Sequence, residues 1–191
     1  MNDLQTAIKI LNDGGIIIFP TDTAFGIGCR IDKDETIKRL FNIRKRPVNQ
    51  ATPVLVSSIE MAKEYVEEIP NDVQNLMKLY WPGALTIVLP CKTEKVPELV
   101  RGGGSTIGIR VPNHETTIEL IKGVGVPILG PSANFHGEDT PYSVQQLNSE
   151  LVKLVDFVLP GETKLKQAST VIDCSQNPWK ILREGAVKID L

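Results

Sequence analysis

The chain is poor in the residues that staple or metallate small proteins. Its 191 residues include three cysteines and two histidines. Cys29, Cys91 and Cys174 lie far apart with no C-x-x-C pair. That spacing argues against a disulfide framework or a zinc ribbon and predicts a reducing, cytoplasmic setting. His114 and His136 belong to no H-E-x-x-H pattern, so no protein-built metal site is expected. Aromatic residues are 5%, which leaves few platforms for stacking nucleic-acid bases. The formal charge is −2, so bulk charge does not make this a nucleic-acid coat protein. No apolar run reaches the ~18 residues of a membrane span, so no membrane partner is expected. The opening Met-Asn-Asp-Leu-Gln-Thr has neither the basic region nor the apolar core of a signal peptide.

Several catalytic templates are also missing. There is no G-x-x-x-x-G-K-[ST] phosphate loop and no G-x-S-x-G elbow. Gly26-Ile27-Gly28-Cys29-Arg30-Ile31 starts like a dinucleotide fingerprint but lacks its last glycine and opens no helix. An enzyme built on this chain therefore works by positioning and electrostatics rather than through a protein nucleophile.

What is present suits a folded globule. Hydrophobic residues are 41% and charged residues 23%. A chain of this length buries roughly 70% of the surface its unfolded form exposes, so it needs neither disulfide nor metal to fold. Apolar spacing predicts helices over 3–13, 34–43, 61–66, 73–80 and 117–122. It predicts strands at 16–19, 53–56, 84–89, 106–111, 127–129, 155–159, 170–172 and 180–183. Ser143-x-x-Gln146 reads as a capping box opening a helix through Leu147 and Leu151. Helices and strands interleave, which predicts an α/β (α+β) domain around a mixed sheet. Arg101-Gly102-Gly103-Gly104-Ser105 reads as a flexible loop inside it.

Polar clusters follow directly on the apolar strands, where α/β proteins place ligands. In Phe19-Pro20-Thr21-Asp22-Thr23, extended backbone points Thr21 and Thr23 to one side and Asp22 to the other. A solvated turn with Asp22 as a local cap fits the same residues. In Arg44-Lys45-Arg46-Pro47 the proline ends a helix, and Arg44 and Arg46 then converge on one anion. A basic helix end complementing the macrodipole fits equally. Ser132 and Asn134, two residues apart after Gly130-Pro131, present a hydroxyl and an amide to one side, or form an Asx or Ser turn. Arg110 stands between Ile109 and Val111, where burial is costly without a counter-charge, so it is either paired or on a wet face. Ser169 and Arg183 complete a set rich in Arg, Ser and Thr and poor in Asp, which suits an anionic ligand.

Seven segments together carry a resemblance: PTDTAFGIG (20–28), RKRP (44–47), WPGALT (81–86), GIRVPNH (108–114), PILGPSAN (127–134), STVID (169–173) and LREGA (182–186). In this order, from about residue 14 to residue 187, they resemble the YrdC-like family of threonylcarbamoyl-adenylate synthases. The resemblance implies an open twisted mixed sheet flanked by helices, with a concave basic groove. The chain ends soon after the last motif, which implies one domain over 1–191 without the extra C-terminal domain of longer members. The implied activity joins L-threonine, bicarbonate and ATP into threonylcarbamoyl-AMP and pyrophosphate. The product feeds the threonylcarbamoyladenosine modification of tRNA through a separate transferase, and a direct tRNA contact stays open.

The resemblance also implies roles. Thr21, Gly130, Pro131, Arg110 and Ser169 match threonine-binding positions. Thr106, Ser132, Asn134, Thr140 and Arg183 match ATP-binding positions. Arg44, Lys45 and Arg46 cover the catalytic basic pair, with either Arg44 or Lys45 standing where the family has lysine. Magnesium would be held mainly by ATP. Phe25 and His136 stand where the family often has tyrosine and serine. A non-catalytic RNA-binding module using the same groove is the competing expectation. Adenylate chemistry on carbamoyl phosphate is a nearer alternative, but it normally sits in a much longer multidomain chain.

Overall fold

The structure is a computed structural model and describes residues 2–189. Helix α1 (Asp3–Asn12) opens on a reciprocal cap. Asn2 Oδ1 accepts from the Gln5 amide at 2.9 Å, and Gln5 Oε1 accepts from the Asn2 amide at 3.3 Å. Ala7 and Leu11 form its buried face. Strand β1 (Ile17–Phe19) is buried at every position, as its unbroken apolar run requires. The chain then turns back through residues 20–25 into β2 (Gly26–Gly28), antiparallel to β1.

The remaining elements are α2 (Asp34–Arg44), β3 (Val54–Leu55), α3 (Ile59–Lys63), α4 (Asn71–Tyr80), β4 (Leu85–Pro90), β5 (Thr106–Arg110), α5 (Glu115–Val124), β6 (Ile128–Leu129), α6 (Ser149–Val152), β7 (Phe157–Val158), β8 (Thr170–Asp173) and β9 (Lys180–Arg183). The strands form two open sheets rather than the one the sequence predicts. A small sheet runs β2-β1-β7, and a mixed six-stranded sheet runs β6-β3-β5-β4-β8-β9. Isolated bridges, Gly26 to Ser132 and Arg30 to Ile128, join them, with backbone bonds such as that from the Leu129 amide to the Cys29 carbonyl at 2.9 Å.

Two expectations fail locally. The helix predicted from Ser143 through Leu151 divides into a 3₁₀ turn over Val144–Gln146 and the one-turn helix α6. Leu147 is extended between them (ψ 129°), and the cap is Asn148, whose Oδ1 accepts from the Glu150 and Leu151 amides. Ser143 makes no cap bond, and Gln146 Oε1 instead accepts from the Tyr142 amide at 2.7 Å. The helix predicted over 61–66 stops at Lys63, because Val66 pairs in a bridge with Cys91.

Two apolar clusters hold the layers together. Ile16, Ile18, Phe25, Ile27, Leu40, Val54, Leu85, Ile87, Ile109 and Ile172 belong to the larger one. Ala7, Leu11, Ile17, Phe19, Leu120, Ile121 and Ile128 pack α1 and α5 against β1 and β6. Each fully buried Ile, Leu or Phe contributes about 1.5–3 kcal/mol, which sets the two sheets rigidly enough to fix a site between them.

Candidate active site

Register decides which polar residues meet. β4 runs antiparallel to β5 with Ile87 opposite Ile109, which puts Thr86 beside Arg110. β8 runs parallel to β4 with Leu85 opposite Thr170, which brings Ser169 to the same end. β9 returns antiparallel to β8 with Arg183 opposite Val171. The β1–β2 turn and the segment after β6 close over this end of the sheet. The result is a cavity of about 190 Å³. Thr21, Thr23, Phe25, Arg44, Arg46, Thr86, Arg110, Gly130, Pro131, Ser132, Thr140, Ser169 and Arg183 are among its lining residues.

At one end the Arg110 guanidinium is held on three sides. Nε donates to the Gly83 carbonyl at 2.8 Å, Nη1 donates to Thr23 Oγ1 at 2.9 Å, and Nη2 donates to Asp22 Oδ1. Both members of the Asp22–Arg110 ion pair are buried, at 3% and 6% side-chain exposure. Asp22 is therefore not a solvated cap, and Arg110 takes the paired state. Burial lowers the Arg110 pKa from its ordinary value, and the Asp22 carboxylate opposes that shift. The second Asp22 oxygen, Oδ2, is buried without a partner.

Thr21 and Thr23 do face each other, with hydroxyls 3.0 Å apart. The Thr21 hydroxyl also donates to the Ala24 carbonyl at 2.7 Å and accepts from the amides of Thr23 and Ala24 at 3.2 Å. A hydroxyl has one donor and two acceptor sites, so this one is fully used in shaping the turn. Ser169 Oγ and Thr86 Oγ1 are 2.9 Å apart, and Arg183 Nη2 donates to Ser169 Oγ at 3.0 Å. Arg183 Nε donates to the Ser169 carbonyl at 3.0 Å, which fixes it at the exposed rim.

At the other end the helix α2 stops on Lys45, which takes a left-handed conformation (φ 53°) before Arg46-Pro47. That turn throws Arg44 and Arg46 toward the cavity and Lys45 away from it. Lys45 does not line the cavity, and its Nζ lies 5.1 Å above the Phe135 ring. Arg44 is buried and donates from Nε to the Asn134 carbonyl at 3.0 Å. Its Nη1 is buried without a partner. Burial, and then the charge of Arg46, push the Arg44 pKa down to about 10. Arg46 donates from Nε to the Gln50 carbonyl at 3.2 Å and from Nη2 to the Ala51 carbonyl.

Two further predicted ligands, Thr106 and Asn134, do not line the cavity. Thr106 pairs with Pro90 at the far end of β5, four residues from Arg110. At about 3.3 Å per residue that is ~13 Å along the strand from Arg110. Asn134 lends the site its carbonyl, but its amide Nδ2 donates to the carbonyls of Phe135 and Glu138 at 2.9 and 2.8 Å. Gly130 and Pro131 line the cavity with part of their backbone already engaged. The Gly130 amide donates to the Pro53 carbonyl, and the Pro131 carbonyl accepts from the Ile27 amide. His136 is exposed, and its amide donates to the Arg44 carbonyl at 2.8 Å. Thr86 is a lining residue that the sequence reading did not single out, and Thr23, which that reading placed beside Thr21, lines the cavity without having been given a ligand role. The alternation of β4 against Arg110 is the signal that marks Thr86.

The family model described as Telomere recombination (Sua5_yciO_yrdC) matches residues 9–185. The chain belongs to the Sua5/YciO/YrdC family. A threonylcarbamoyl-AMP synthase of Pyrococcus abyssi (strain GE5 / Orsay) is 33% identical over 188 residues, covering 98% of this chain and 55% of that protein. A threonylcarbamoyl-AMP synthase of Bacillus subtilis (strain 168) is 31% identical over 189 residues, covering 97% of this chain and 55% of that one. The crystal structure of P. abyssi Sua5 complexed with L-threonine superposes with a TM-score of 0.91 at 32% identity. It covers 97% of this chain and 55% of that chain. The chain thus spans about half the length of these Sua5/YciO/YrdC relatives. Among the described residues, no helix is long and apolar enough to cross a membrane.

Proposed function

We propose that this chain is a threonylcarbamoyl-AMP synthase, joining L-threonine, bicarbonate and ATP with release of pyrophosphate. The observation that carries the reading is the unpartnered, buried Nη1 of Arg44, in one cavity with Arg46 at one end and Arg110 at the other. A buried guanidinium N–H without an acceptor calls for an anionic ligand. Of the four arginines around the cavity, only Arg110 makes an ion pair with a described residue. Three positive charges are left for the phosphates. The names of the relatives support the same reading.

In this reading Arg110, Thr23, Thr86 and Ser169 receive the amino acid, with Arg110 on its carboxylate. Arg44, Arg46 and Arg183 face the triphosphate, with Ser132 and Thr140 alongside. The threonine amine adds to the carbon of bicarbonate-derived CO₂ and loses a proton to solvent, giving a carbamate. A carbamate oxygen attacks the α-phosphorus while its bond to the bridging oxygen of the β-phosphate breaks, so pyrophosphate leaves in line. The substrates supply the nucleophile. The protein aligns them and offsets the charge that grows on the phosphates.

Magnesium enters as part of the ATP substrate. Among the described residues no group of three or more His, Cys, Asp or Glu is placed to hold a metal, and Asp22 is engaged by Arg110. The product then passes to a separate transferase that modifies tRNA.

The test is pyrophosphate release from ATP with threonine and bicarbonate each omitted in turn. Release that requires both supports the assignment, and release indifferent to threonine rejects it.

A further inference from the structure

The glycine-rich loop after Val100 is neither free nor placed over the cavity. Its amides bond back within the turn, from Val100 to the Pro97 carbonyl at 3.0 Å and from Gly103 to the Glu98 carbonyl at 3.1 Å. It is also stitched to the segment that follows Arg46, because the Thr52 amide donates to the Val100 carbonyl at 2.9 Å. At Gly102 the two segments touch. A Cβ built there would lie 2.6 Å from the Ala51 nitrogen, 3.0 Å from the Gln50 carbonyl carbon and 3.1 Å from the Asn49 oxygen. Those neighbours are backbone, which cannot swing aside as a side chain does. Gln50 and Ala51 are also the residues whose carbonyls hold the Arg46 guanidinium.

We propose that Gly102 is a positioning residue for Arg46: by leaving no side chain between the two loops, it lets residues 49–51 sit where their carbonyls aim Arg46 into the cavity. The loop is a buttress for the phosphate end of the site. This rests on the reading that Arg46 faces the nucleotide.

Gly103 supplies the control. Its φ is +79° against +60° at Gly102, so alanine meets left-handed strain at both positions. A Cβ at Gly103, however, meets nothing within 4 Å. Both alanine variants should lose comparable stability, and only one should disturb Arg46.

Calorimetric titration of ATP and of L-threonine into the full chain tests this. Gly102→Ala is expected to weaken ATP binding about tenfold, as for a charged group displaced by a fraction of an ångström, and to leave threonine binding unchanged. Gly103→Ala should bind both as the parent does. In an Arg46→Ala background, Gly102→Ala should add nothing, because its effect acts through Arg46. Amide hydrogen exchange over residues 49–52 should rise in Gly102→Ala and not in Gly103→Ala. Equal ATP affinities in the two glycine variants, or an undiminished Gly102→Ala effect without Arg46, would overturn the proposal. A parent chain that binds ATP in this pattern yet releases no pyrophosphate defeats the proposed reaction and leaves the role of Gly102 standing. A parent chain that binds no ATP defeats both.

Discussion

Arg110 shows how a single buried charge organises its surroundings. An arginine in an apolar strand must find a counter-charge, and this much the sequence reveals. Its partner does not announce itself, because Asp22 is 88 residues away and reads locally as a turn former. Replacing the carboxylate by its amide keeps the shape and removes the charge. We expect Asp22→Asn to lose about 3 kcal/mol in urea unfolding, the usual cost of leaving one member of a buried pair alone. Because the guanidinium then lacks an anion, L-threonine should raise the melting temperature more in Asp22→Asn than in the parent. An equal rise in both would show that Asp22 and the ligand do not share Arg110. The facing hydroxyls of Thr21 and Thr23 were legible from the two-residue period of extended chain. The exhaustion of the Thr21 hydroxyl by its own turn was not, since that depends on how Ala24 folds back.

Whole elements were legible where side chains carry a period and silent where they do not. α1, α2, α4 and α5 follow from helical spacing, and β1, β4 and β5 from apolar runs. β2 was invisible because Gly26 and Gly28 give a three-residue strand no pattern. Its meaning is spatial. A Cβ on Gly28 would lie 1.8 Å from the Leu129 carbonyl oxygen, so β2 passes against the backbone of β6 where the two sheets meet. Gly28→Ala must separate them, and we expect at least about 3 kcal/mol of lost stability, at the upper end of single-residue effects. An unchanged urea midpoint would mean that the sheets have slack there. The Ser143 cap failed for a related reason. Two caps compete within six residues, and Asn148, which accepts from two amides, wins. Thr106 does not line the cavity, because β5 carries it four residues along the strand from Arg110.

For the molecule as a whole, the three thiols report on the core. All are buried and unpaired. Burial pushes Cys29 and Cys174 from 9.0 up to about 12. The unfolded chain therefore releases these protons near pH 9 while the folded chain keeps them. Their contribution to stability is complete below pH 9 and is lost as pH rises toward 12. Arg44, lowered to about 10, acts in the opposite sense above pH 10, so the clean window is pH 9 to 10. Stability measured by urea across that window should fall, and Cys29→Ala should flatten the fall. An identical slope would contradict the burial argument.

The same core fixes the two-ended cavity on which the functional reading depends, and separate substrate titrations of two arginine variants test that arrangement most directly. Arg110→Ala should raise the threonine KM by at least about tenfold, the cost of a charged hydrogen bond, with the ATP KM nearly unchanged. Arg46→Ala should do the reverse. Equal effects of either variant on both substrates would contradict the account.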